Sequence, residues 1–152
     1  IKPTLLKLPI LQASNANSVK VSEENLNIIK RAMEKVSLDE FGTGRNFRLG
    51  IKGVEMAGKT GTVQVRRIST KERESEEGVI KNEDRIWEWR DHALYVGYAP
   101  MDKPRYAISV IVEHGGSGSS KAGPIARDIM EATLTDDPTR FIPKNPIKKP
   151  LI

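Results

Sequence analysis

The sequence predicts an α+β fold, an antiparallel sheet of at least three strands flanked by helices. Three observations carry that reading. An amphipathic helical period runs through residues 23–36, ahead of the first strand. Two β-branched and aromatic-rich runs, 93–99 and 106–112, are joined by a short link with a proline at each end. A Gly123-Pro124 pair then opens a second helix with a small, apolar face.

Residues 1–21 contain Pro3 and Pro9 and no sustained period, so they read as an irregular, extended lead-in. Ser22 offers an N-cap, and Glu23 and Glu24 place negative charge at the positive end of the helix that follows. Leu26, Ile29, Met33 and Val36 recur at spacings of three and four and line one face. Two glycines in Phe41-Gly42-Thr43-Gly44 then favour a turn.

Residues 55–65 read as a strand despite Gly58 and Gly61, and a glycine there marks close approach by another backbone or a ligand. Ala93–Ala99 and Tyr106–Val112 form a hairpin across Pro100-Met101-Asp102-Lys103-Pro104. The second of these strands is apolar almost throughout, which predicts helices over both sheet faces. Residues 115–120 form a Gly/Ser loop. Ala122, Ile125, Ala126, Ile129, Met130 and Ala132 give the last helix a face for close packing on a sheet. Asp136-Asp137-Pro138 ends it, and 136–152, with Pro143, Pro146 and Pro150, reads as an extended tail apart from a domain at 1–135.

Residues 66–90 break the pattern with dense charge of both signs, which reads as a solvated connection. Trp87 and Trp89 within it predict that its second half docks on something, with the two tryptophans as packing anchors. His92 and His114 stand apart in sequence, with nothing to pair them. His92 reads as orienting a loop or a strand end, and His114, in a Gly-rich loop, as a surface residue.

The bulk numbers exclude several classes. In 152 residues, 25 basic and 20 acidic side chains leave a net charge of only +5 with the signs interspersed, and aromatics make up 5%. That is a poor nucleic-acid surface. No apolar run is long enough to span a membrane. With zero cysteines and two histidines, neither a disulfide nor a zinc site is expected, and no cofactor is implied. The chain starts Ile1-Lys2-Pro3-Thr4 without an initiator Met, so it is expected to begin inside a longer protein.

The motif that carries chemistry is Lys59-Thr60-Gly61-Thr62 on the first strand. Three residues are a weak signal alone, but Lys-Thr-Gly is one of three stations in serine acyl-transfer sites, beside Ser-x-x-Lys and a Ser-x-Asn type. Neither partner occurs here: Ser14 is followed at the third position by Asn17, Ser18 by Val21, Ser69 by Glu72 and Ser117 by Ser120.

Context makes the motif specific. Glu55-Met-Ala-Gly-Lys-Thr-Gly-Thr-Val-Gln-Val65, Asp91-His-Ala-Leu-Tyr-Val-Gly-Tyr-Ala-Pro100 and Lys103-Pro-Arg-Tyr106 resemble the transpeptidase domain of class B penicillin-binding proteins. Val112-Glu-His-Gly-Gly-Ser-Gly118 and Ala122-Gly-Pro-Ile-Ala126 resemble the elongation-type branch, penicillin-binding protein 2, more than the division type. The resemblance covers about residues 1–135 and implies the C-terminal part of a penicillin-binding/β-lactamase-like fold.

It further implies a D,D-transpeptidase: a serine is acylated by a D-Ala-D-Ala stem peptide, D-Ala leaves, and an amine of a second stem attacks. β-Lactams acylate the same serine. Lys59 would then supply positive charge, Thr60 and Thr62 hydroxyls for the substrate carboxylate, and Gly61 room for an extended peptide. By family analogy the Thr62 N–H is one of two oxyanion donors. Expected partners are peptidoglycan stem peptides, β-lactams and proteins of the cell-elongation machinery. The expected location is the periplasmic face of a bacterial inner membrane, reached through an N-terminal anchor outside this chain. The absent serine and Ser-x-Asn motifs lie upstream in this family, so the chain reads as a fragment inactive alone, with exposed sheet faces and edges that favour oligomers. Two other readings stay open: a non-catalytic binding module using 66–90, and a serine β-lactamase relative, which would share the Lys-Thr-Gly strand.

Overall fold

The computed structural model describes residues 20–136, so nearly all of the expected lead-in and tail lie outside the described residues. Helix α1 spans Glu23–Leu38, two residues past the predicted end. The Ser22 hydroxyl accepts the Asn25 N–H at 3.3 Å, the N-cap that the sequence signals. The following turn folds back tightly, with the Gly44 N–H donating to the Val36 carbonyl at 2.8 Å. A Cβ on Gly42 would overlap that carbonyl, so the turn requires glycine there.

Three strands follow: β1 Ala57–Val63, β2 His92–Ala99 and β3 Tyr106–Val112. They form one antiparallel sheet in the order β1-β2-β3. Register pairs Lys59 with Val96, Thr60 with Tyr95, Gly61 with Leu94 and Val63 with His92. Across the hairpin Tyr95 meets Val110 and Ala93 meets Val112. Between β1 and β2 lie a short helix α2, Thr70–Glu74, and two 3-10 turns at Asn82–Asp84 and Trp87–Trp89. After β3 the Gly/Ser stretch tightens into a π-helical turn, Gly118–Ala122, where the sequence predicted a loop, and runs into α3, Gly123–Asp136.

Side chains alternate across the strands, so one face buries Ala93, Tyr95 and Ala99 of β2 against Ala122, Ala126, Met130 and Leu134 of the last helical segment. Phe47 closes the core beside Tyr95, their rings edge to face with centroids 5.3 Å apart. A Cβ on Gly123 would collide with the Phe47 ring, so this glycine lets α3 start against it. The other face meets the expectation of helices on both sides only in part. Helix α1 packs against β1, where Ala57 is fully buried, but among the described residues Val96 and Ile111 stay 45% and 63% exposed there. The β3 run is apolar in composition, yet along it half-buried positions alternate with exposed ones, so only every second side chain reaches the core.

The second half of the charged stretch docks on the sheet end, as its tryptophans suggest, but through polar anchors. Arg85 is buried and its Nη1 meets Asp91 Oδ1 at 3.1 Å, the two side chains 6% and 14% exposed. Arg85 Nε also donates to the Ile80 carbonyl, and Arg90 Nε to the Arg85 carbonyl, at 3.0 and 3.1 Å. Trp87 and Trp89 remain 55% and 53% exposed. Each ring uses one side: Trp87 on the His114 ring and Trp89 under the Arg66 guanidinium. Arg66 in turn forms a two-pronged pair with Glu72 of α2. That bond holds the Glu72 carboxyl below its usual range and raises Arg66.

Candidate functional site

The directions of the β1 main chain follow from bonds at its ends. The Glu55 carbonyl accepts the Met101 N–H at 2.9 Å, on the β2 side. Main-chain groups of successive strand residues point to opposite sides, so 57, 59, 61 and 63 bond toward β2, while Gly58, Thr60 and Thr62 turn theirs to the outer edge. β2 agrees independently. The Ala99 carbonyl accepts from Arg105 N–H at 3.1 Å, which turns its odd-numbered residues to β3 and its even-numbered ones to β1. Among the described residues no strand pairs with the outer edge of β1.

The four residues singled out by sequence are therefore one continuous strip of that edge. Lys59 is exposed, and its Nζ curls over to donate to the Thr60 carbonyl at 2.8 Å, placing a positive charge on the edge itself. Thr60 is half-buried, and its hydroxyl is 2.9 Å from that of Thr43, so the two share one hydrogen bond. Thr62 is exposed. Gly61 lies against Gly118: a Cβ on Gly118 would overlap the Gly61 and Leu94 carbonyls, so only a glycine lets the π-helical turn rest on the strand. Gly58 serves a different neighbour, since a Cβ there would overlap the Tyr95 hydroxyl.

Sequence reading missed Thr43, which appeared only as part of a turn. It lies between two shallow clefts of about 550 and 490 Å³ that share Phe41, Gly42 and Thr43. Arg45, Ser119 and Ser120 border the first, and Lys35, Asp39 and Lys59 the second. The nearby serines engage one another: Ser117 Oγ is 2.9 Å from Ser119 Oγ, and Ser120 Oγ donates to the Ser117 carbonyl at 3.3 Å. The strip offers a cation, hydroxyls and outward main-chain donors and acceptors, which suits holding an extended, anionic chain. Among the described residues no group of three or more His, Asp or Glu side chains is placed to hold a metal ion.

The two histidines, which sequence left unpaired, meet at the far end of β1. The His114 N–H donates to His92 Nδ1 at 2.9 Å, and the rings stand edge to face at 4.7 Å. His114 is half-buried, contrary to its reading as a surface residue, because the loop after β3 folds back onto the start of β2. His92 does sit at a strand end, as read.

A family model described as Penicillin binding protein transpeptidase domain matches residues 2–131. Peptidoglycan D,D-transpeptidase MrdA of Haemophilus influenzae is 38% identical over 105 residues, which span 69% of this chain and 15% of that protein. MrdA of Acinetobacter baumannii is 37% identical over 120 residues, 79% of this chain and 16% of that protein. Among solved structures, Pseudomonas aeruginosa PBP2 in complex with WCK 5153 is 31% identical with a TM-score of 0.56, over 82% of this chain and 22% of that one. PBP2 of Helicobacter pylori in complex with MreC is 28% identical with a TM-score of 0.58, over 80% and 20%. The chain thus spans about 15% of the length of the curated relatives it matches. With the match running from the lead-in through β1 and the hairpin into α3, the chain belongs to the penicillin-binding protein transpeptidase domain family.

Proposed function

We propose that this chain is the substrate-edge part of an elongation-type peptidoglycan D,D-transpeptidase. The observation that carries the proposal is the outward turn of the Thr60 and Thr62 main-chain groups on an edge that no strand among the described residues pairs with and that also carries the Lys59 ammonium. A stem peptide ending in D-Ala-D-Ala lies along that edge as an added strand. Its terminal carboxylate meets Lys59 and the hydroxyls of Thr60 and Thr62, and Gly61 leaves space for its backbone. The nucleophilic serine comes from another part of the whole protein. Its Oγ adds to the penultimate D-Ala carbonyl, the negative oxygen is received by the Thr62 N–H, and terminal D-Ala leaves as the acyl-enzyme forms.

This chain alone holds one of the three stations and is inactive by itself. The printed pairing of the Helicobacter pylori relative with MreC supports a partner from the elongation machinery. Action on the periplasmic face of the inner membrane, with the anchor elsewhere in the protein, fits the substrate. No described helix is long and apolar enough to cross a membrane.

The test is acylation by a fluorescent β-lactam, measured on a complete transpeptidase carrying this segment. Thr62→Pro removes the outward N–H without costing a bond to β2, since that N–H points away from it. It is expected to slow acylation roughly 100-fold or more, the scale of one lost oxyanion donor, whereas Thr62→Ala, which keeps the N–H, slows it far less. Equal rates for Thr62→Pro and wild type would sink the reading, and so would covalent labelling of the 152-residue chain alone.

A further inference from the structure

We infer that His92 is a positioning residue whose ring, with Nδ1 as acceptor, latches the loop after β3 onto the start of β2. Its link to catalysis rests on the transpeptidase reading; the latch itself does not.

A main-chain N–H can only donate, so the 2.9 Å bond from His114 N to His92 Nδ1 leaves that nitrogen without a proton and puts the His92 hydrogen on Nε2. The same logic fixes the neighbour. The Arg90 carbonyl can only accept, so His114 Nδ1, 3.0 Å away, carries its hydrogen. The Trp87 ring lies 4.3 Å from that of His114. His114 adopts φ +54°, a left-handed conformation unusual for a side-chain-bearing residue, and these bonds hold it there.

The loop is sewn further by Gly116, at φ +84°, whose N–H donates to the Asp91 carbonyl at 2.8 Å. Two residues on, Gly118 rests on the Gly61 and Leu94 carbonyls. His92 itself is the register partner of Val63, the last residue of β1. One imidazole thus ties the loop that backs Gly61 to the start of β2, and the main chain of the same residue is paired with the end of β1.

Asp91 pairs with Arg85, and Arg90 donates to the carbonyls of Arg85 and Glu83. Glu113 and His114 belong to the loop, and Glu113 is exposed. Arg66, on the continuation of β1, is committed to Glu72. Without an acceptor at the place of His92 Nδ1 the His114 N–H bond is lost, and the loop loosens from the start of β2.

The experiment uses a complete transpeptidase carrying this segment, with acylation by a fluorescent β-lactam followed at neutral pH. His92→Asn, whose Oδ1 stands in for Nδ1 as acceptor, is expected to keep most of the wild-type rate. His92→Ala is expected to be slower by roughly tenfold, as for mispositioned catalytic donors. A His92→Ala rate equal to that of wild type, or a His92→Asn rate no better than that of His92→Ala, overturns the link to the site. Imidazole ¹⁵N spectra of the same protein test the latch independently of activity. They are expected to report His92 as the Nε2–H tautomer, with amide exchange at His114 and Gly116 faster in His92→Ala than in His92→Asn. An Nδ1–H tautomer overturns the latch. A protein that shows the expected tautomer and is never acylated instead defeats the transpeptidase reading.

Discussion

Tyr95 is fully buried at the centre of β2, yet its hydroxyl has no hydrogen-bond partner of good geometry. The Ser37 hydroxyl opposes the effect of burial only weakly, and desolvation pushes the phenol up from 10.0 to about 12. A phenol whose folded pKa is raised lends stability that is complete below the unfolded value. That stability is lost as pH rises from 10.0 toward about 12, because the unfolded chain ionises first. Urea midpoints are therefore expected to fall above pH 10, by at most about 1.4 kcal/mol per pH unit. Tyr95→Phe is expected to reduce that decline to the part left by Tyr98, whose phenol is also raised by burial, and, by removing an unpartnered buried hydroxyl, to gain about 1 kcal/mol at neutral pH. A wild-type midpoint that stays level to pH 12, or an equal fall in the variant, would contradict this. The same ring explains what the sequence made ambiguous. Gly58 read as room for a ligand or backbone; it makes room for this phenol and for the Val96 carbonyl, whereas Gly61 is approached by the main chain of Gly118. A glycine records that space is needed and not by what.

Among the elements, the segment between β1 and β2 departs furthest from its sequence. Dense charge read as a solvated connection, yet Arg85 is turned inward and Asp91 joins three pieces of chain. Its Oδ1 accepts from Arg85 and from the Val65 N–H at 3.4 Å, and its own N–H donates to Asn82 Oδ1 at 2.9 Å. Asp91→Ala strands a buried guanidinium and is expected to cost about 3–5 kcal/mol. Hydrogen exchange should rise first over residues 80–92, ahead of β3. Protection unchanged there would refute the anchoring role. The periodic elements were legible because repetition is local. Leu26, Ile29 and Met33 announce α1, and the β-branched runs announce the hairpin. The π-helical turn, the Arg85–Asp91 pair, the Thr43–Thr60 bond and the His92–His114 bond were not. Each joins residue types whose meaning depends on a partner that no period locates, 17 residues away for the threonines and 22 for the histidines.

At the scale of the molecule, the described residues cover one sheet face and leave part of the other open and apolar. Val63, Val96 and Ile111 are exposed on it, and Ile28 and Ile29 project from α1. The isolated chain is therefore expected to self-associate, with sedimentation showing species larger than 16.9 kDa. Val96→Thr with Ile111→Thr should shift that equilibrium toward monomer without loss of helix signal. A wild-type chain that remains monomeric at high concentration would refute it. The outer edge of β1 poses a different problem. Main-chain donors and acceptors accept any extended backbone, so the ladder by itself cannot tell the end of a peptide from its middle. Under the proposed transpeptidase reading, Lys59 supplies that distinction. An interior segment laid along the edge would cover the ammonium with neutral amides and leave its charge without an anion, whereas a peptide that stops there brings its own carboxylate. On that reading the strand is a reader of chain termini: it measures where a peptide ends.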